Sequence, residues 1–115
     1  MWHIDFYKTK EGKTPLIEFM DSLSIKMRAK AVSDIELLEN LGTDIRMPYS
    51  KHIKDGLFEL RIQQSNNIVR IFYFFFIEKQ IILTNGFIKK TQKTPSIEID
   101  RGLQYKADYE RRYKK

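Results

Sequence analysis

The 115 residues, 42% apolar and 31% charged, are enough for one hydrophobic core and too few for two, so we expect a single domain over residues 1–115. Cysteine is absent and the only histidines are His3 and His52, which excludes disulfides and thiolate chemistry and predicts no metal or other cofactor. The net charge is +6, of which residues 86–115 carry +5, indicating either a solvated basic tail or a surface for nucleic acid. No apolar run approaches the roughly 20 residues of a membrane span, and the N-terminus lacks a secretory pattern, so we expect a cytoplasmic protein without membrane contact.

The first part of the chain predicts one strand followed by a pair of helices. Apolar and polar residues alternate over residues 2–7, and this period of two is typical of a strand. The pair Thr14-Pro15 is a favourable start for a short helix, because threonine can accept a terminal N–H bond and proline has no N–H to lose. Residues 25–41 repeat apolar positions at steps of three and four before Gly42, which predicts a second helix and its end. Together these helices would form an αα-hairpin packed on a sheet.

The second part predicts three strands in close succession and a final helix. Residues 57–63 alternate, residues 68–77 are almost wholly aromatic and β-branched, and residues 81–87 form another apolar run. Thr94-Pro95 then repeats the threonine–proline start for a helix that reaches about residue 113. The order β-α-α-β-β-β-α predicts an α+β fold. Its small antiparallel sheet would consist of a three-strand meander plus the N-terminal strand. The αα-hairpin and the C-terminal helix would lie on one face of this sheet.

Cations from several segments are expected at one edge of this sheet. Pairing across the turn at residues 65–67 would bring Arg61 and Arg70 close together. Arg70 lies in an apolar strand, where a charge is costly unless it reaches water, an anion or a carboxylate. The other cations expected here are Lys51 and Lys54 before the second strand, and Lys89, Lys90 and Lys93 after the last.

These residue types suit cleavage of RNA by its own 2′-hydroxyl. That reaction needs in-line alignment, stabilisation of developing negative charge and transfer of protons. Arg61 and Arg70 would clamp the phosphate, and Lys89 or Lys90 would donate a proton or stabilise charge, because neighbouring cations lower a lysine pKa. Glu59 is the carboxylate expected at this edge and is a candidate base.

Each of these residues also has a purely structural interpretation. Glu59 and either arginine would make an ordinary cross-strand ion pair. Lys89 and Lys93 would flank the start of the last helix, where a bound phosphate would offset their unfavourable position against the helix dipole. Phe87 would be either a core residue or a platform on which an RNA base stacks.

Three segments carry a resemblance to a known family. They are KDGLFELRI (residues 54–62), VRIFY (69–73) and GFIKKTQKTP (86–95). In order and spacing, together with the αα-hairpin before them, they resemble the HigB branch of the RelE/ParE toxin superfamily, known as phage-derived Gp49-like proteins. The resemblance covers essentially the whole chain.

This resemblance implies a RelE-like fold and the toxin of a type II toxin–antitoxin pair. The activity it implies is ribosome-dependent, metal-independent endonuclease cleavage of mRNA. The partners it implies are the ribosome with mRNA and a helix-turn-helix antitoxin of HigA type, with operator DNA bound only through that antitoxin. Family site positions correspond to Arg61, Arg70, Lys89 and Lys90, and less securely to Lys54. Well-studied members use a histidine or tyrosine near the site, and no such tyrosine follows Lys90 here, so the acid and base stay open.

Two other functions compete with the nuclease. ParE-like toxins share the fold and inhibit DNA gyrase as binding modules, without nuclease activity. A non-enzymatic RNA-binding protein would use the same cations, among them Lys51, Lys54 and Lys93, to hold the RNA backbone. The converging set of Arg61, Arg70, Lys89 and Lys90 favours the nuclease, since a gyrase inhibitor has no need of phosphate ligands.

Overall fold

The computed structural model describes residues 1–114, and over this range it shows a five-stranded sheet and three α-helices. The α+β fold is confirmed, and every predicted strand and helix is present with its ends within about one residue of the expected positions. The strands are β1 (His3–Phe6), β2 (Ser50–Lys54), β3 (Leu57–Gln64), β4 (Asn67–Phe76) and β5 (Gln80–Ile88); the helices are α1 (Pro15–Asp21), α2 (Ile25–Leu41) and α3 (Ser96–Tyr113), with a 3-10 turn at Gly42–Asp44.

The strand order in the sheet is β1-β5-β4-β3-β2. Strands β3, β4 and β5 form the expected antiparallel meander. In contrast to the prediction of a wholly antiparallel sheet, β1 runs parallel to β5, with Ile4 opposite Ile81. Alternation in a sequence predicts that a strand exists but not its direction, and the long connection through α1 and α2 permits a parallel pairing.

Strand β2 was not predicted, because its sequence SKHIK lacks apolar alternation. It lies at the edge of the sheet, where lysines are common and where little apolar surface needs covering. The Ser50 hydroxyl hydrogen-bonds the Tyr73 hydroxyl, and the His52 ring meets the Phe58 ring edge-on at 5.1 Å. Polar side chains therefore fix an edge strand that hydrophobic periodicity does not reveal.

Helices cover both faces of the sheet, so the prediction of helices on one face is wrong. Ile71 belongs to the core under α1 and α2, whereas the next residue, Phe72, packs with Ile99 and Leu103 of α3. Successive strand residues point to opposite faces, so α3 lies on the other side of the sheet from the hairpin. This arrangement explains why β4 is apolar on both faces.

Local signals fix both ends of α2, whereas the Thr14 side chain, predicted to cap α1, makes no capping hydrogen bond. The Ser24 side chain accepts a hydrogen bond from the Met27 N–H at 3.2 Å and caps α2. At the other end of α2, Gly42 has φ of +54°, a conformation that favours glycine. Among residues 1–114, no helix combines the length and apolar character that crossing a membrane requires.

Candidate nucleic-acid interface

The centre of the candidate site is a pair of arginines on neighbouring strands. Arg61 of β3 and Arg70 of β4 are directly opposite each other in the antiparallel register, as the turn between them predicted. Like charges in facing positions repel. A stable pair therefore needs a nearby anion, from the protein or from a ligand.

The protein supplies one such anion, Glu59, on the same face of β3 as Arg61. Its side chain is 3% exposed, its Oε2 lies 3.7 Å from the Arg61 Nε, and its Oε1 lies 3.6 Å from the Arg70 Nε. Arg70 is itself 5% exposed. Burial lowers the pKa of Arg70, and the attraction of Glu59 opposes that change. These ion pairs are longer than hydrogen bonds, and within residues 1–114 the Arg70 Nε has no hydrogen-bond partner.

Lys89 joins this cluster from the end of β5. Its backbone N–H donates to the Ile68 carbonyl at 2.9 Å, which continues the pairing of β5 with β4. Alternation from Phe87, the partner of Arg70, puts Lys89 on the same face as the arginines. Burial is the main cause of the lowered pKa of Lys89, and repulsion by Arg70 and other nearby cations lowers the pKa further.

Cations and amides line an open groove of about 860 Å³ beside this cluster. Its walls come from the β3–β4 turn and from the segment after β5. The cations in the lining are Arg61, Arg70, Lys89 and Lys90, and the side chains Asn66, Asn67, Thr91 and Gln92 add hydrogen-bonding groups. A chain of phosphates fits this chemistry, since guanidinium and ammonium groups bind phosphate and amides bind neighbouring polar atoms.

The three other predicted cations differ in their distance from the arginine pair. Lys51 faces Glu59 across β2 and β3, about two residues or 7 Å along the strand from Arg61. Lys54 lies beyond a register shift, opposite Leu57, at about 13 Å along the strand. Lys93 is exposed on the segment before α3 and is not part of the groove lining. The cluster therefore includes Lys51, while Lys54 and Lys93 lie at its periphery.

Phe87 is a core residue, which is one of the two interpretations that the sequence left open. Its side chain is 6% exposed and packs with Leu57 and the Phe72 ring, whose centroid lies 5.5 Å away. A ring covered in this way has no free face for a nucleobase. The stacking role predicted for Phe87 is therefore not supported, and its contribution is to hold β5 against α3.

Thr94, like Thr14, does not have the capping role that the sequence predicted. It was predicted to cap the last helix, but Pro95 is the N-cap of α3 and no side chain caps this end. The Thr94 hydroxyl instead donates to the Glu59 Oε1 at 3.4 Å, across 35 residues of sequence. A threonine before proline predicts a local helix cap, and the sequence has no signal for a contact with a residue 35 positions away. The groove amides Asn66, Asn67 and Gln92 were also missed, because in the sequence they resemble ordinary turn residues.

The fold and the groove define a small basic α+β protein with an open groove lined by cations and amides. The family model described as phage derived protein Gp49-like matches residues 18–106, which include the whole groove. The chain belongs to this family, which is the HigB/RelE-like toxin family, so the resemblance noted in the sequence is confirmed. A comparison with curated proteins gave no significant match. Within residues 1–114, no three histidine, aspartate or glutamate side chains are grouped to hold a metal ion.

Proposed function

We propose that this toxin-family protein is an endoribonuclease that cuts mRNA on the ribosome and so arrests translation. The observation that carries the proposal is the facing pair Arg61 and Arg70 with Lys89 on the same face, all in one open groove. Two guanidiniums and an ammonium that line one groove can offset the negative charge that develops on a phosphodiester at its transition state.

In the proposed reaction the 2′-hydroxyl oxygen attacks the adjacent phosphorus and forms a new O–P bond. The bond from phosphorus to the 5′-oxygen breaks, leaving a 2′,3′-cyclic phosphate and a 5′-hydroxyl. Arg61 and Arg70 bind the non-bridging oxygens, where negative charge develops. Lys89 protonates the departing 5′-oxygen, a role favoured by its lowered pKa. The 2′-hydroxyl proton passes to a water molecule in the open groove, since the lining residues described include no carboxylate or imidazole.

The proposal includes a cellular setting that follows from the family. The ribosome would align the mRNA in the groove and supply part of the catalytic geometry. A helix-turn-helix antitoxin would neutralise the toxin in the cytoplasm and would be its link to operator DNA. No cofactor takes part in the proposed reaction.

The test is primer-extension mapping of a reporter mRNA after brief induction of the protein. We expect cuts within translated codons for the wild type and none for Arg70→Ala or Lys89→Ala. Arg111→Ala is the matched control, since this exposed arginine lies in the last turn of α3 and pairs with Asp108. It should cut as the wild type does.

Two other outcomes would replace the nuclease by one of its competitors. Growth arrest with intact mRNA would contradict the proposal and favour inhibition of DNA gyrase. Binding of RNA by the purified protein, without cleavage on ribosomes and without arrest, would favour a non-enzymatic RNA-binding protein.

A further inference from the structure

Glu59 lies behind the arginines as seen from the groove. Both arginines line the groove, and Glu59 does not belong to the lining among the residues described, 1–114. Its two carboxylate oxygens meet the Nε edges of the guanidiniums, at 3.7 Å for Arg61 and 3.6 Å for Arg70. The Arg61 Nη1 donates to the Met47 sulfur at 3.2 Å and the Arg70 Nη1 donates to the Val69 carbonyl at 3.3 Å, so the Nη2 group of each arginine is the one left for another anion.

Thr94 reaches the same carboxylate from the segment after β5. Its hydroxyl donates to the Glu59 oxygen that also faces Arg70, at 3.4 Å. This segment begins with Lys89 and Lys90, both of which line the groove. One buried carboxylate is therefore in contact with the arginines on one side and with the lysine-bearing segment on the other.

We propose, on the basis of the proposed function, that Glu59 is a positioning residue rather than the base. The Thr94 hydroxyl connects Glu59 to the segment that carries the lysines. Glu59 holds the Nε edges of Arg61 and Arg70 so that the Nη2 group of each faces the groove, and the Thr94 hydroxyl fixes the lysine-bearing segment against the same carboxylate. The arginines and lysines then close on a phosphate as one unit.

The position of Glu59 conflicts with the role of a general base. A base must come within hydrogen-bond reach of the proton that it removes, directly or through one water. Two guanidiniums and the Thr94 hydroxyl already surround this buried carboxylate, so the 2′-hydroxyl of a bound RNA would meet the arginines first. Acting as a base would require the arginines to leave the position in which they bind phosphate.

The first test compares Thr94→Val with Thr94→Ser. Valine keeps the shape and removes the hydroxyl, whereas serine restores it. The matched control is Thr14→Val, because Thr14 also precedes a proline at a helix start and its side chain makes no capping hydrogen bond. The readouts are the affinity for an RNA blocked by 2′-O-methylation, the nitrogen-15 NMR signals of the arginine Nε–H groups, and single-turnover cleavage of ribosome-bound mRNA.

We expect Thr94→Val to bind the blocked RNA about tenfold more weakly, to shift the Arg70 Nε–H signal and to lower the cleavage rate by a similar factor. Thr94→Ser and Thr14→Val should resemble the wild type in all three. Unchanged affinity and an unchanged Arg70 signal in Thr94→Val would overturn the link. The binding and NMR readouts do not need catalysis, so they decide this point even if the wild type cuts no RNA.

The second test is the pH dependence of cleavage by Glu59→Gln over roughly pH 4 to 9. A positioning role predicts a lower rate at every pH with the same shape of profile. If Glu59 were the base, the acidic limb of the profile would disappear in Glu59→Gln. That result would overturn the proposal.

Discussion

A carboxylate lies at each end of α3, Glu59 beside its start and Asp108 in its last turns. Asp108 has close partners: the Tyr7 hydroxyl donates to it at 2.6 Å, and Arg111 and Arg112 pair with it at 3.0 and 3.1 Å. Among residues 1–114, the Glu59 side chain has only long polar contacts, of 3.4 Å to a hydroxyl and of 3.6 and 3.7 Å to arginines. The Asp108 cluster is therefore held by short contacts, and the Glu59 cluster is loosely held.

The difference separates an ion cluster that stabilises the fold from one that is prepared for a ligand. At Asp108 the Arg112 guanidinium lies between the rings of Tyr7 and Tyr113, with centroids 5.5 and 5.4 Å away, and it also donates to the Lys8 carbonyl. These contacts join α3 to the end of β1, although within residues 1–114 the buried Arg112 Nε, like the Arg70 Nε, has no hydrogen-bond partner. Arginines outnumber the carboxylate at both ends, but Arg61 and Arg70 line an open groove together with Lys89 and Lys90, so an added anion can reach that cluster.

The largest expected effect comes from replacing an arginine with lysine in each cluster, Arg70 beside Glu59 and Arg112 beside Asp108. Arg70→Lys keeps the charge but loses the planar fork, so we expect cleavage to fall about 100-fold or more. Arg112→Lys should leave the cleavage rate within about twofold of the wild type and lower only the melting temperature. The measurement is single-turnover cleavage of ribosome-bound mRNA, with thermal melts to establish that both variants are folded. Equal losses of cleavage from the two exchanges would contradict the distinction between the clusters.

The second effect concerns the proton proposed to come from Lys89. Because its pKa is lowered by burial and by the arginines, a general acid at this position loses its proton as pH rises through a value below 10.5. We expect the basic limb of the pH–rate profile to reflect this group. Lys89→Arg should move that limb to higher pH and lower the plateau rate about tenfold or more, since arginine donates protons poorly. An unmoved limb would assign the proton transfer to another group.

A third prediction sharpens the stabilising role of the Asp108 cluster. The Tyr7 hydroxyl is buried and bonded to Asp108, which raises the Tyr7 pKa from 10.0 to about 12. A raised pKa in the folded state means that this stabilisation is complete below pH 10 and is lost as pH rises from about 10 to 12. Tyr7→Phe should therefore cost about 1–2 kcal/mol of unfolding free energy at neutral pH, with cleavage unchanged.

Urea denaturation at roughly pH 8 and pH 11 measures this effect. The difference in unfolding free energy between the wild type and Tyr7→Phe should shrink at the higher pH. Burial also raises the pKa values of Tyr73 and Tyr109, but these residues are present in both proteins and cancel in the difference. A difference that is constant with pH would show that the hydroxyl bond adds nothing.

The two clusters also differ in how far the sequence revealed them. Arg61 and Arg70 could be paired in advance, because a short turn fixes the register of the strands on either side. Tyr7 and Asp108 are 101 residues apart, and neither lies in a pattern that predicts a partner. The bond from Thr94 to Glu59 and the polar edge strand β2 were hidden for the same reason. Periodicity identifies elements and neighbours in register, whereas contacts between polar side chains depend on how helices dock on the sheet.

The smallest expected effect shows how far the RNA-binding surface extends along β2 from the Glu59 cluster. Lys51 faces Glu59, whereas Lys54 lies about 13 Å along the strand from Arg61, so only Lys51 is close enough to share a phosphate with the arginines. Lys51→Gln should weaken binding of a blocked RNA a few-fold and reduce its logarithmic salt dependence by about 0.7, the value for one contact with a single strand. Lys54→Gln, the matched control, should change neither quantity. Equal effects from both lysines would mean that the RNA continues along β2, and the binding surface would then extend past the arginine pair to the far end of that strand.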